Sequence, residues 1–188
     1  MRRALTIIVL SLISVIAFGQ GVFKLEGTAI LEDGTVMYRT NMSVIHLNPI
    51  SFSEVDYSLG AFVRNSTIEY FILLSLNDKI SVAENNCLKV KLGDNSTLDI
   101  PVKRSYSWDK DAEEGKILGT SSMCLRIPYI VTDEQIQSIS ENGIIKMRIE
   151  GYPTNIEFKT DAKKIMQSTI KFRTRLGELL SQSKEDDF

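Results

Sequence analysis

Alternation with a period of two constrains this chain most. In Cys87-Leu88-Lys89-Val90-Lys91-Leu92 the apolar Leu88, Val90 and Leu92 alternate with Lys89 and Lys91, and Ile145, Met147 and Ile149 alternate with Lys146, Arg148 and Glu150. Successive strand side chains point to opposite faces, so both segments read as strands with one face in a core and one in water. Thr97-Leu98-Asp99-Ile100-Pro101-Val102 returns from the turn Gly93-Asp94-Asn95-Ser96, and Pro101 marks an edge or bulge because it lacks a backbone donor. The apolar Ile68 to Leu76 suits a strand buried on both faces. Val22 to Leu31 and Thr35 to Leu47 flank Asp33-Gly34, a hairpin signal because both residues tolerate positive φ. Ser51 to Tyr57 and Asn155 to Lys159 are weaker strands, another strand lies within Ile117 to Ile130, and Trp108 to Lys116 reads as a charged loop.

Two segments break the alternation. Thr132-Asp133-Glu134-Gln135 has capping-box spacing, a hydroxyl followed three residues later by Gln, and opens a short helix near 133–141 that Gly143 ends. From Asp161 to about Ser181 the period becomes helical, with Ile165, Thr169, Phe172, Leu176 and Leu179 on one face and lysines and arginines on much of the rest. That stripe predicts packing on the sheet, with an anionic membrane surface as the alternative. The expected fold is mainly β, an antiparallel β-sandwich or open barrel with the short helix and a C-terminal α-helix.

The first residues set an expected compartment. Arg2 and Arg3 precede an apolar run from Ala4 to Phe18, and Ala17-Phe18-Gly19 offers small residues where a signal peptidase reads. Residues 1–19 are therefore expected to be a signal peptide, 20–182 one β-rich domain with its C-terminal helix, and 183–188 a disordered tail. The run is shorter than the roughly 20 residues that span a bilayer, and no later segment is long and apolar enough, so no membrane span is expected after cleavage. Loss of Arg2 and Arg3 moves the formal charge from −2 to about −4, which argues against a nucleic-acid partner. The expected location is secreted or periplasmic.

Candidate chemistry is sparse. Cys87 and Cys124 are the only cysteines. In an oxidising compartment they could form one disulfide, worth roughly 4 kcal/mol for a loop of this size. Equally, they could be separate buried thiols about 10 Å apart on strands one and three of a meander, beyond the roughly 7 Å a disulfide spans. His46 is the only histidine, and no nucleophile motif accompanies it. Asp109, Asp111 and Glu113 have the 1-3-5 spacing of a calcium loop, but the glycine falls one place late and Thr120 stands where the bidentate Glu belongs. A solvated acidic loop is the simpler reading, and no cofactor is expected. Tyr106 and Trp108 alternate with Ser105 and Ser107, and they either stack on a sugar or partner or cap the core edge. Three Asn-x-Ser/Thr sequons begin at Asn41, Asn65 and Asn95.

The order of elements carries a resemblance. The strand Tyr70 to Leu76, the hairpin strand Cys87 to Leu92 with Gly93-Asp94, the helix signal from Pro128 to Ile136, the strand Ile144 to Glu150 and a charged C-terminal helix together resemble uncharacterised secreted or envelope proteins of Bacteroidetes bacteria. The resemblance covers roughly residues 68–180. It implies a sandwich-like domain of the cell envelope and brings no activity to any residue. The expected function is a non-enzymatic binding or envelope-assembly module whose partner is a protein or glycan of the envelope. The alternatives are a carboxylate-dependent hydrolase of envelope glycans and a carrier of small apolar ligands.

Overall fold

A long hairpin organises the molecule. In the computed structural model, which describes residues 29–48, 53–117 and 120–185, β4 (Ser53–Arg64) and β5 (Thr67–Leu76) pair from Val55↔Leu76 to Arg64↔Thr67. The connecting Asn65 and Ser66 both have positive φ, 46° and 67°, the backbone that matches a tight hairpin turn to strand twist. The expected signal peptide and the last three residues of the expected tail lie outside the described residues.

Around the hairpin the chain adds β1 (Ala29–Ile30), β2 (Val36–Arg39), β3 (Ser43–Asn48), β10 (Glu113–Ile117) and β11 (Thr120–Val131). They form a seven-stranded antiparallel sheet in the order β1-β2-β4-β5-β11-β10, with β3 beside β4, curled into a half-barrel. The expected strand from Thr35 to Leu47 is divided in two. Its halves pair with successive stretches of β4, and at the break the Thr40 hydroxyl accepts from the Leu59 N–H at 3.0 Å.

On the inner face of β4, β5 and β11 the register sets four rows: Val55-Leu76-Leu125, Tyr57-Leu74-Ile127, Leu59-Ile72-Tyr129 and Ala61-Tyr70-Val131. All twelve residues are buried. A second antiparallel sheet contains β7 (Cys87–Leu92), β8 (Thr97–Pro101), β12 (Ile144–Ile149) and β13 (Ile156–Lys159) in the order β13-β12-β7-β8. Its Leu88, Val90, Leu92, Ile100, Met147, Ile149 and Phe158 join the same apolar core. The alternation in β7 is realised, Leu88, Val90 and Leu92 being buried while Lys89 and Lys91 are only half-buried, and Pro101 lies on the edge strand β8. A short ribbon, β6 (Ser81–Val82) with β9 (Tyr106–Ser107), closes one side.

Three helices complete the described chain: α1 (Trp108–Asp111), α2 (Asp133–Asn142) and α3 (Ala162–Glu185). The capping box of α2 is formed, with Gln135 N–H donating to the Thr132 hydroxyl at 3.2 Å and Thr132 N–H to the Gln135 side chain at 3.0 Å. Gly143 ends the helix at φ 65°, where a Cβ would stand 2.1 Å from the Ala162 carbonyl oxygen. The start of α3 therefore requires glycine there for space as well as for backbone freedom. α3 packs on α2 and β12 and buries Ile165, Thr169, Phe172 and Leu176, four of the five residues of the expected stripe; Leu179 is half-buried. Phe172 meets Tyr70 edge-on at 6.3 Å, so the terminal helix is joined to the large sheet.

Phe172→Ala removes that contact from a fully buried position and is expected to cost about 3–5 kcal/mol in urea unfolding, as for other buried aromatics. Thr132→Ala, which breaks the capping box, is expected to cost about 1 kcal/mol in the same assay.

Candidate functional site

Strand periodicity sends Glu54, Asp56 and Ser58 to the face of β4 opposite the core rows. There Asp56 is in register with Ser75 of β5, which is in register with Arg126 of β11. Glu54 starts the same face, its backbone N–H donating to the Asn77 side chain at 2.7 Å. This polar face is shielded: Glu54 is 2% exposed, Asp56 7%, Ser75 6% and Cys124 1%. Neither carboxylate oxygen of Glu54 has a hydrogen-bond partner. Arg126 spends its Nη1 on Glu113 and leaves a buried Nε unpaired.

Burial first, and the neighbouring Asp56 charge second, raise the proton affinity of the Glu54 carboxyl above the usual carboxylate range. Burial also raises that of Asp56, while Arg126 pulls it back. Burial keeps the Cys124 thiol protonated, against opposing pulls from Ser75 and Arg126, so it is no activated nucleophile. Two carboxyl groups whose surroundings differ, on positions about 6.6 Å apart along one strand face, are an arrangement in which one group can hold a proton while the other is ionised. The sequence displays these acids alternating with Val55 and Tyr57, but a period of two does not tell which face is covered.

The residues singled out from sequence do not gather in one place. Tyr106 is 8% exposed and Trp108 packs half-buried on the core. The Arg104 guanidinium lies 4.0 Å above the Tyr106 ring. Among the described residues Tyr152 is an exposed aromatic, 78% open on the β12–β13 connection, where its backbone pairs with Ser81. The expected acidic loop is a turn of helix, α1, leading into β10. Asp111 accepts from Arg104 at 2.9 Å and from the Ser107 N–H at 2.7 Å, contacts that hold its carboxyl below the usual range. Glu113 pairs with Arg126 and Asp109 is exposed. The calcium spacing is thus divided between a helix and a strand, and among the described residues no group of three acids, cysteines or histidines is placed to hold a metal.

Cys87 and Cys124 are both free thiols. Cys87 opens β7 in the small sheet and Cys124 lies in β11 of the large one, so the disulfide alternative is not realised. His46 stands in register with Val55 on β3. Near Cys87, the fully buried Tyr129 carries a hydroxyl with no partner. Burial, with the charges of Tyr106, Cys87 and Glu150, raises its proton affinity so that it remains neutral.

A third feature opens at the end of the large sheet. The β1–β2 turn and the β4–β5 hairpin flank an open groove of about 740 Å³. Leu31, Phe62 and Ile68 are among its apolar lining, and Asp33, Arg64 and Glu69 among its polar lining. Phe62 is steadied by Phe71 at 4.7 Å, and Asp33 bridges Arg64 at 3.2 Å. Phe71 also lies where a Cβ on Gly60 would be, 2.0 Å from the ring, so glycine in β4 permits the ring that backs the groove. Compared with protein families, curated proteins and solved structures, the chain matches none.

Two predictions follow from these buried groups. Glu54→Gln is expected to raise the urea midpoint at pH 7 and to change it little near pH 4. The raised affinity means the folded state holds the Glu54 proton more tightly than the unfolded state, whose carboxyl titrates near 4.5. The associated stability is complete below that value and is lost as pH rises through the folded one. A variant less stable than the parent at pH 7, or offset equally at both pH values, would contradict this. Tyr129→Phe removes a buried hydroxyl without a partner and is expected to leave stability unchanged or raise it by about 1 kcal/mol.

Proposed function

We propose that the chain is a secreted or envelope-associated, non-catalytic binding module that takes a polypeptide partner in the groove between the β1–β2 turn and the β4–β5 hairpin. The groove carries the reading. Its volume falls in the range of natural binding sites, and an apolar lining with charges of both signs around it suits a partner presenting an apolar side chain flanked by polar groups. Ile30 and Leu31, 69% and 43% exposed, extend the apolar surface along the edge of the sheet. The leader-like residues 1–19 and the resemblance to envelope proteins support the location. Large inward side chains such as Tyr129, Phe172 and Leu59 fill the space a carried apolar ligand would need.

A second reading, a carboxylate-dependent hydrolase of envelope glycans, is favoured by one observation: the Glu54–Asp56 pair, in which Glu54 is unpartnered and its proton affinity is raised by burial.

Affinity capture from envelope extract with wild-type, Arg64→Glu and Phe62→Ala baits tests the first reading. The Asp33–Arg64 bridge is exposed, and such surface pairs contribute little to stability, so the Arg64 bait stays folded. A polypeptide held by the wild type and lost from both variants is the expected result. A partner retained by both, or none at all, would overturn it. Release of reducing ends from envelope glycans by the wild type, abolished in Glu54→Gln, would establish the hydrolase instead.

A further inference from the structure

The outer face of the small sheet carries a line of lysines. Lys159 of β13 is in register with Lys146 of β12, Lys146 with Lys91 of β7, and Lys91 with Thr97 of β8. Strands lie about 4.8 Å apart, so three ammonium stems stand abreast within about 10 Å. Like charges directly opposite destabilise a sheet, and here the opposition occurs twice in succession. Lys146 reaches Glu157 at 2.7 Å, while Lys91 and Lys159 have no carboxylate in ion-pair range among the described residues.

The register is built to give this row. β12 shifts between Ile144 and Lys146, so that Ile144 pairs with Leu92 but Lys146 with Lys91. Without the extra residue, Lys146 would be opposite Val90 and would face the core. A bulge that re-aims one side chain in this way is a positional device. Lysines do protect exposed sheet edges, which accounts for Lys159 on β13. It does not account for Lys91 and Lys146, because β7 and β12 are the two inner strands of this sheet.

The next row is balanced. It reads Asp99, Lys89, Arg148, Glu157 across the strands, with Lys89 bridged to Asp99 at 3.1 Å. Cationic excess is therefore confined to one row. Beyond its β13 end, Lys163 and Lys164 stand exposed in the first turn of α3, where the helix dipole disfavours cations. Asp161 closes that helix end by accepting from the Lys164 N–H.

We infer that this row binds an acidic polysaccharide, a chain bearing carboxylate or sulfate groups. Neither of these two rows carries an apolar or aromatic residue, and the row beyond them sets Cys87 opposite Pro101 with no aromatic, so the face has no ring to stack on bases and little to insert into a lipid surface. Lysines are strongly hydrated point charges, suited to a hydrated polyanion lying across the strands. The inference is independent of the groove, which lies on the large sheet.

Calorimetric titration of the purified protein with heparin, polygalacturonate and neutral dextran tests it. Parallel titrations use vesicles of equal parts phosphatidylglycerol and phosphatidylcholine, and a short single-stranded DNA. Binding is expected for the two acidic glycans and not for dextran. The triple variant Lys91→Gln, Lys146→Gln, Lys159→Gln should bind them about tenfold or more weakly, with a salt dependence shallower by about two counterions. Its melting temperature should hold or rise, since the repulsion is gone. The control Lys171→Gln, Arg175→Gln, on α3, should bind as the wild type does. Failure of both glycans to bind, equal weakening in the control, an unaffected triple variant, or tighter binding to vesicles or DNA would each overturn the inference.

Discussion

The register among β4, β5 and β11 is the constraint on which the rest depends. Side-chain direction alternates at every residue, so a slip of one position along β4 would exchange Val55, Tyr57, Leu59 and Ala61 for Glu54, Asp56, Ser58 and Gly60 in the core. Both carboxyl groups are already shielded, but a slip would move Asp56 from beside Ser75 and Arg126 to the leucine rows, where no polar neighbour offsets its burial. The acids on the far face therefore specify the pairing by making the alternative untenable. The same register sets Arg126 beside Asp56 across Ser75 and brings Phe71 over Gly60. Core, polar cluster and groove are three consequences of one alignment.

Where alternation coincided with clear amphipathicity, the sequence was legible. β7, β12, the α2 capping box and the buried stripe of α3 all combine a strong local pattern with one wet face. β4 was legible only in part. Its beginning alternates acids with Val55 and Tyr57, and its second half, Ser58-Leu59-Gly60-Ala61, has small residues that weaken any strand pattern. Those residues are small for tertiary reasons: Gly60 yields to Phe71, and Ser58 bonds the Thr40 carbonyl at 3.0 Å. Likewise the division of β2 from β3 depends on the Thr40 hydroxyl serving as an acceptor for a neighbouring strand. A single sequence holds no sign of that partner. α1 was hidden because four residues are too few to show a helical period.

The candidate sites were less legible than the fold, and for a related reason. Alternation correctly separates Tyr106 from Ser107, but it does not say which of two faces is covered, and Tyr106 lies on the covered one beneath Arg104. The spacing of Asp109, Asp111 and Glu113 suggested convergence on a cation; a helical turn followed by a strand sends them apart, two to arginines. The lysine row is the converse case. Each lysine is ordinary within its own strand, and only the pairing of three strands, one of them bulged, brings them abreast.

The two charged features belong to opposite sides of one core. Glu54 and Asp56 stand on the outer face of the large sheet and the lysine row on the outer face of the small one, with the apolar layer between. Facing sheets alone are about 10 Å apart, so the two features make no direct contact. Coupling between them would have to pass through packing, and the path available is narrow: Tyr129 and its neighbours from β11 to β8, or Tyr70 through Phe172 to α3 and β12. Substitutions at the two features share no contact, so their effects on stability are expected to add within about 0.5 kcal/mol.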